Sequence, residues 1–136
     1  MHRTGGCACG AIRFTITAPP LGTGACHCRQ CQKMSGGGAN YVALVPKEAL
    51  RIDSGIPRYH RSSGDSGAEV ARAFCADCGT PLWSEPAHEP FLPVKIGAFD
   101  EAGDLAPRLH IYTASAPDWH LMGEGLPRFY KMPSRP

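Results

Sequence analysis

Polar and apolar side chains alternate over residues 11–17, placing Ile12, Phe14 and Ile16 on one face, the period of a half-buried strand. The Ala18-Pro19-Pro20-Leu21-Gly22 segment stops it. A second strand is predicted over 40–45 and ended by Pro46, with 47–50 left as a single helical turn. Residues 51–53 and 58–61 read as two short strands around the turn at Ser54-Gly55, and 62–67 as a polar hairpin loop. Alternation returns over 69–74 and delivers the chain into Cys75; later strands are predicted at 81–84, 91–96 and 109–113. The longest helix the pattern supports is the few residues after Cys28. No repeat, linker or composition shift divides the chain, so the expectation is one mainly β, mostly antiparallel domain over 1–136, with turns built from Gly and Pro.

Composition sharpens this reading. Sixteen Gly and 13 Pro in 136 residues suit a loop-rich β domain and stop short of the level that signals disorder. A formal charge of +2 lacks the basic stripe that nucleic-acid binding needs, which also disfavours a zinc-ribbon nucleic-acid binder. No apolar run reaches the length of a membrane span, and the opening residues lead into cysteines rather than a signal-peptide core. A cytoplasmic location is the expectation.

The seven cysteines decide the chemistry. Their odd number and the expected reducing compartment argue against a disulfide framework. So do the spacings: Cys7-x-Cys9, Cys26-x-Cys28-x-x-Cys31 and Cys75-x-x-Cys78 strain internal bridges but suit thiolates converging on a metal ion. In an extended strand Cys7 and Cys9 would project to the same side. Cys75-Ala76-Asp77-Cys78-Gly79 reads as a knuckle whose glycine tolerates positive φ. Joined, the two pairs make a closed four-thiolate structural site. Cys26, Cys28 and Cys31 share a second ion most cheaply because they are close in the chain. A division that groups Cys7, Cys9, Cys26 and Cys28 also fits the spacing.

Three protein ligands leave a fourth coordination position for water or substrate, the usual mark of a catalytic zinc; a histidine filling it would make the site structural. Histidines stand at 2, 27, 60, 88, 110 and 120, and His27 lies between two ligands, poorly placed to turn onto the same ion. Zn²⁺ on three thiolates carries a formal charge of −1, so it should acidify water less than zinc on imidazoles, and an incoming thiol suits it better. Arg29 and Lys33 are the expected offsetting cations. Trp83 and Trp119 are expected as core or rim aromatics, and Arg72 as a contact for a substrate carboxylate or an acidic neighbour. The Gly36-Gly37-Gly38 run could let backbone approach a ligand, but a metal turn alone accounts for it.

Three segments carry a family resemblance: Gly6-Cys7-Ala8-Cys9-Gly10-Ala11-Ile12-Arg13-Phe14, then Cys26 to Cys31, then Phe74-Cys75-Ala76-Asp77-Cys78-Gly79-Thr80-Pro81-Leu82. Tyr59, Ser62-Ser63, Arg72, His110-Ile111-Tyr112, Ser115-Ala116-Pro117-Asp118-Trp119 and Gly125-Leu126-Pro127-Arg128-Phe129 extend it over nearly the whole chain. Together they resemble the glutathione-dependent formaldehyde-activating (GFA) family. The resemblance implies a β-tent of antiparallel sheets around zinc, with a structural ion on Cys7, Cys9, Cys75 and Cys78. It also implies a catalytic ion on Cys26, Cys28 and Cys31, and hence two zinc ions per chain, the second the more labile. The implied activity joins glutathione, or a similar thiol, to formaldehyde or another aldehyde; the founding product is S-hydroxymethylglutathione, and the class is carbon–sulfur lyase. Gln32-Lys33-Met34-Ser35 departs from the family's basic residue and paired serines. Tyr59, His60 and His110 are the candidate general acids. The alternative is a non-catalytic β-tent zinc module that binds a protein partner.

Overall fold

The computed structural model describes residues 2–133; Met1 and 134–136, the ends of the expected 1–136 domain, lie outside the described residues. Strands β1 (Arg3–Gly6), β2 (Arg13–Ile16) and β5 (Leu50–Ser54) form an antiparallel sheet in the order β1-β2-β5. A second sheet takes β3 (Gly22–Cys26), β4 (Asn40–Pro46), β6 (Arg58–Ser63), β7 (Glu69–Phe74), β8 (Pro81–Pro86), β9 (Phe91–Lys95) and β10 (His110–Ile111) in the order β10-β3-β4-β9-β8-β7-β6. Its neighbours are antiparallel except β10, which runs parallel to β3 at the edge. The α-helix among the described residues, α1 (Arg29–Met34), follows Cys28 as predicted, and residues 47–49 make the expected single turn, of 3-10 type. The architecture is mainly β, built from antiparallel sheets. No helix among the described residues is long and apolar enough to cross a membrane.

The alternation read from sequence points inward. Ile12, Phe14 and Ile16 are at most 2% exposed and pack against Val45, Leu82, Trp83 and Val94 of the larger sheet. Phe14 meets Trp83 and Phe99 edge-on, with ring centroids 5.8 and 5.9 Å apart, the preferred arrangement for aromatic quadrupoles. Trp83 is thus core, whereas Trp119 is exposed at the surface.

Three expectations need correction. Strands β5 and β6 exist but do not pair across the 54–57 turn: β5 joins β2 and β6 joins β7. The strand predicted at 109–113 shortens to His110–Ile111 because Tyr112 turns into the left-handed region at φ 55°. Strands β1 and β3 were not anticipated, since RTGG and GTGAC carry no hydrophobic alternation.

The pleat gives the large sheet two unlike faces. Ala73, Trp83 and Val94 stand opposite one another across β7, β8 and β9 and look into the core. Their chain neighbours therefore look the other way, Arg72 from β7 and Lys95 from β9. Lys95 pairs with Val42, and Asn40, two residues before Val42, pairs with Cys26. Cys26, Asn40, Lys95 and Arg72 consequently share the face away from the core.

Candidate metal centres

The first cluster is made by two tight turns. The extended strand expected at Cys7 and Cys9 is not formed; Cys7 instead opens a turn after β1, in which the Gly10 N–H donates to the Cys7 carbonyl at 3.1 Å and the Cys7 N–H to the Ile12 carbonyl at 3.1 Å. A turn serves where a strand would not, because it folds Cys9 back toward Cys7 and frees the Ile12 N–H to donate to Cys7 Sγ at 3.2 Å. The second turn is the predicted knuckle. Gly79, at φ 77°, donates to the Cys75 carbonyl at 2.8 Å, a conformation that costs glycine nothing. The Thr80 hydroxyl joins the turns, accepting from the Ala8 N–H at 3.1 Å and lying 3.1 Å from Cys78 Sγ.

This brings Cys7, Cys9, Cys75 and Cys78 together with all four sulfurs within 4.8 Å of one another. Cys7 and Cys9 are 3.6 Å apart, Cys9 and Cys75 3.8 Å. A tetrahedral ion with metal–sulfur bonds of about 2.3 Å requires sulfur–sulfur edges of about 3.8 Å, whereas a disulfide requires about 2.05 Å. All seven thiols are free, and these four have the spacing of ligands rather than of cystines. The hydroxyl of Thr80 leads the effects that lower the Cys78 thiol to about 5, toward the thiolate a metal binds.

The second cluster is more local. Cys26 ends β3, Cys28 caps α1 by accepting the Cys31 N–H on its sulfur at 3.4 Å, and Cys31 lies buried within that helix. Their sulfurs also fall within 4.8 Å of one another, and no further Cys, His, Asp or Glu joins them among the described residues. The alternative grouping of Cys7 and Cys9 with Cys26 and Cys28 is not the one the fold assembles. Cys26 and Cys31 hydrogen-bond to Cys28 and lower it to about 2, while the same bonds push Cys26 up. The donor set suits a soft or borderline ion.

The polar surroundings differ from the sequence expectation. Arg29 turns to Gln32 and Lys33 points into solvent. The cation that feels the charges of Cys31, Cys26 and Cys28 is Lys95; burial lowers its pKa, and the thiols hold it up. Its ammonium donates to Ser35 Oγ at 3.1 Å. Asn40 donates through Nδ2 to Cys31 Sγ at 3.6 Å, and its buried Oδ1 has no hydrogen-bond partner. Arg72 donates to Ser62 Oγ at 2.6 Å and to Gln30 Oε1, in the metal turn itself, at 3.1 Å. Tyr112 stands near Cys26 and Cys28, and burial, then the Asp65 carboxylate, raise its phenol to about 12.

Among the histidines, His27 turns away from the sulfurs and is fully buried between two others. Its Nδ1 lies 2.9 Å from His120 Nδ1 and its Nε2 2.8 Å from His110 Nδ1. The ends of this chain fix its protons. His120 Nε2 faces the Gly37 carbonyl at 2.8 Å and must donate, so its Nδ1 accepts from His27 Nδ1–H. His27 Nε2 then accepts from His110 Nδ1–H, and His110 Nε2 accepts the Gly123 N–H at 3.2 Å. Three neutral rings with one proton each satisfy every bond. Burial, reinforced by His110 and His120, lowers His27 to about 4, and burial also lowers His110, in keeping with neutral rings. The glycine run has a structural role here: Gly37 helps end α1 by donating to the Gln32 carbonyl and presents its own carbonyl to His120.

This network bolts the three-thiol turn to the 110–123 segment, together with the Gln32 amide, which donates to the carbonyls of His27 and Ser115. Replacing His27 by Phe strands a buried donor on His110 and an acceptor on His120. It should cost about 2–4 kcal/mol in urea unfolding and weaken metal retention at the second cluster before the first. Chelator competition unchanged from the parent protein would show that the histidine chain does not position the thiols. Of the other candidate acids, Tyr59 pairs with Ala73 on the core-facing side of β6, and His60 pairs with Arg72 on the opposite side. Both ring nitrogens of His110 are already engaged.

Comparisons with known proteins bear on the family and the fold. The profile of the family described as glutathione-dependent formaldehyde-activating enzyme matches residues 2–115. A Halomonas elongata protein named as a candidate glutathione-dependent formaldehyde-activating enzyme is 28% identical over 124 residues, covering 85% of this chain and 77% of its own length. A similarly named Penicillium rubens protein is 30% identical over 77 residues, covering 57% of this chain and 39% of its own length. The chain thus spans well under half of that relative. A crystal structure of a Rhodobacter sphaeroides protein superposes with a TM-score of 0.58 at 19% identity, over 76% of this chain and 94% of the other, and shares the fold.

Proposed function

This chain belongs to the glutathione-dependent formaldehyde-activating family, and on that premise we propose that it is a zinc-dependent enzyme of the carbon–sulfur lyase type. It makes and breaks an adduct between a thiol and an aldehyde, with glutathione and formaldehyde the pair to test first. In this reading 1–136 is one cytoplasmic domain, Cys7, Cys9, Cys75 and Cys78 hold a structural zinc, and Cys26, Cys28 and Cys31 hold the catalytic one. One observation carries the proposal: four sulfurs converge in the first cluster, but only three in the second, with no other ligating side chain beside them among the described residues.

When bound there, zinc supplies a Lewis acid that keeps an incoming thiol as its thiolate at neutral pH. The residues of the chain do the rest. The cap on α1 and the contacts of His27 fix the turn that carries Cys26, Cys28 and Cys31, the residues that would hold the ion. The C–S bond forms as the sulfur pair attacks the carbonyl carbon; the carbonyl π pair moves to oxygen, which takes up a proton, while the thiol's own proton has gone to solvent. Uncatalysed addition is already easy, so holding the partners together supplies most of the gain. Lys95 puts positive charge beside the three thiols.

The test uses zinc-loaded protein with ¹³C-formaldehyde and glutathione. Exchange between free aldehyde and S-hydroxymethylglutathione, read by NMR, should accelerate in proportion to protein. Metal analysis should find two zinc ions per chain, falling to one after a mild chelator. Exchange at the uncatalysed rate with both ions present would reject the enzyme reading. The exposed Trp119, Leu121, Tyr130 and Met132 favour the second reading, a non-catalytic partner-binding module. That module needs no exchangeable ion.

A further inference from the structure

We propose that the tip of the β6–β7 hairpin, residues 63–68, is a flap at the mouth of the three-thiol site, latched by Asp65 to Tyr112, and that ions and thiols enter when the latch opens. The inference deepens the function proposed above and rests on it in taking Cys26, Cys28 and Cys31 as the site that exchanges its fourth ligand.

The first observation is the course of the large sheet. β10 and β6 are its opposite edges, six strand spacings apart. In a flat sheet that separation is about 29 Å. The Tyr112 phenol, directly after β10, nevertheless hydrogen-bonds to Asp65, at the tip of the hairpin that β6 makes with β7. The sheet therefore curls until its edges meet. Arg72 shows which face is enclosed. β7 lies four spacings from β3, yet the Arg72 guanidinium, on the face away from the core, donates to Gln30 Oε1 at 3.1 Å, in the turn that carries the three thiols.

Tyr112 is the fixed half of the latch. Ile111 pairs with Cys26 and its carbonyl accepts the His27 N–H at 3.0 Å, so residue 112 starts beside the metal turn. Its phenol is close enough to Cys26 and Cys28 to feel their charges. Its backbone lies in the left-handed region at φ 55° and ψ 39°, which is costly for an aromatic residue unless the surroundings hold it there. They do. The Tyr112 N–H donates to the Lys131 carbonyl and the Tyr112 carbonyl accepts the Ser115 N–H, both at 3.1 Å. Strain held beside a site marks a side chain whose direction matters.

The hairpin tip is the movable half. β7 pairs with β8 no further out than Val70 with Pro86, and the Ala87 N–H on the Glu69 carbonyl is the last bond between them. Residues 63–68 project past it, and none of these described residues is buried. Their turn closes on itself: the Gly64 N–H donates to the Ala68 carbonyl at 2.9 Å, and the Gly67 N–H to the Gly64 carbonyl at 3.0 Å. The tip can lift as a unit without exposing core, and segments with few buried contacts open locally at low cost.

The experiment uses the full chain with zinc in its first site and the second emptied by a mild chelator. Stopped-flow absorption of the sulfur-to-cobalt charge-transfer band reads cobalt(II) uptake into the second site and its loss to EDTA. Tyr112→Phe removes the donor without changing charge, and Asp65→Ala removes the acceptor. Each should speed uptake and loss alike by about tenfold, the weight of one hydrogen bond to a charged group. The ratio of the two rates, and so the dissociation constant, should stay unchanged. The sign separates latch from charge, since removing a carboxylate near the site would by itself slow the arrival of a cation. Amide hydrogen exchange across 63–68 should quicken in both variants. Unchanged rates in both variants, slower uptake by Asp65→Ala, or weaker binding with unchanged uptake overturns the flap and leaves the two-ion reading standing. A parent chain that takes no cobalt into the second site overturns the two-ion reading and the flap together.

Discussion

Serine at position 28 should remove the second ion and reduce thiol–aldehyde exchange by about a hundredfold or more, with the fold intact. Cys28 has two separable jobs. Its sulfur is one of three ligands in the second cluster, and the same sulfur accepts the Cys31 N–H as the cap of α1. Serine keeps the second job, since its hydroxyl is among the preferred helix caps. It fails at the first, because an alcohol does not ionise near neutral pH as a thiol can, and two remaining thiolates hold an open-sited ion poorly. The variant therefore separates metal loss from unfolding. Metal analysis should fall from two ions to one, while the urea transition stays cooperative and shifts only by what the lost ion contributed. Exchange retained with one ion gone would remove the three-thiol cluster from the mechanism.

Where a signal was local, it could be read from the sequence. Residues 12–16 and 69–74 alternate because one face of each strand meets a core, and Cys26, Cys28 and Cys31 cluster because six residues of chain can bring them together. Strands β1 and β3 carry no such signal because glycine stands where alternation would need a side chain. Gly5 shows why: a Cβ there would stand 2.5 Å from the Phe14 ring and 2.4 Å from the Ala98 carbonyl, so packing rather than propensity selects the residue. The pairing of β6 with β7 instead of β5 is a tertiary choice that a turn signal at Ser54-Gly55 cannot reveal.

The surroundings of the second cluster were hidden for the same reason. His27, His110 and His120 are neighbours across separations of 83 and 93 residues, and each alone is an ordinary histidine. Lys95 closes a strand that reads as hydrophobic, and only the register of β9 on β4 turns it toward Asn40 and Cys26. Arg29 and Lys33 are near the ligands in the chain, yet both are on the exposed side of α1. Ligand atoms follow spacing, but the charges that tune them follow topology.

The largest effect on stability should come from Cys75. It is 1% exposed, leaves β7 in the larger sheet, and its sulfur lies 3.8 Å from that of Cys9, in the turn after β1 of the smaller one. An ion held by these four thiols would join the two sheets by a covalent-strength link across 66 residues of chain. Closed zinc sites contribute apparent binding free energies of roughly 10–16 kcal/mol. A whole domain is stable by only about 5–15 kcal/mol. Losing the ion therefore removes most or all of the margin, and serine in a site this buried adds an unpaired hydroxyl. We expect Cys75→Ser to yield protein without cooperative thermal unfolding, and with neither ion bound, since the second cluster needs the assembled sheet and the histidine chain to hold its shape. Chelation of the parent protein strong enough to strip both ions should reproduce that state. A Cys75→Ser protein that melts at the parent temperature and still carries two ions would show that the first cluster does not hold the sheets together.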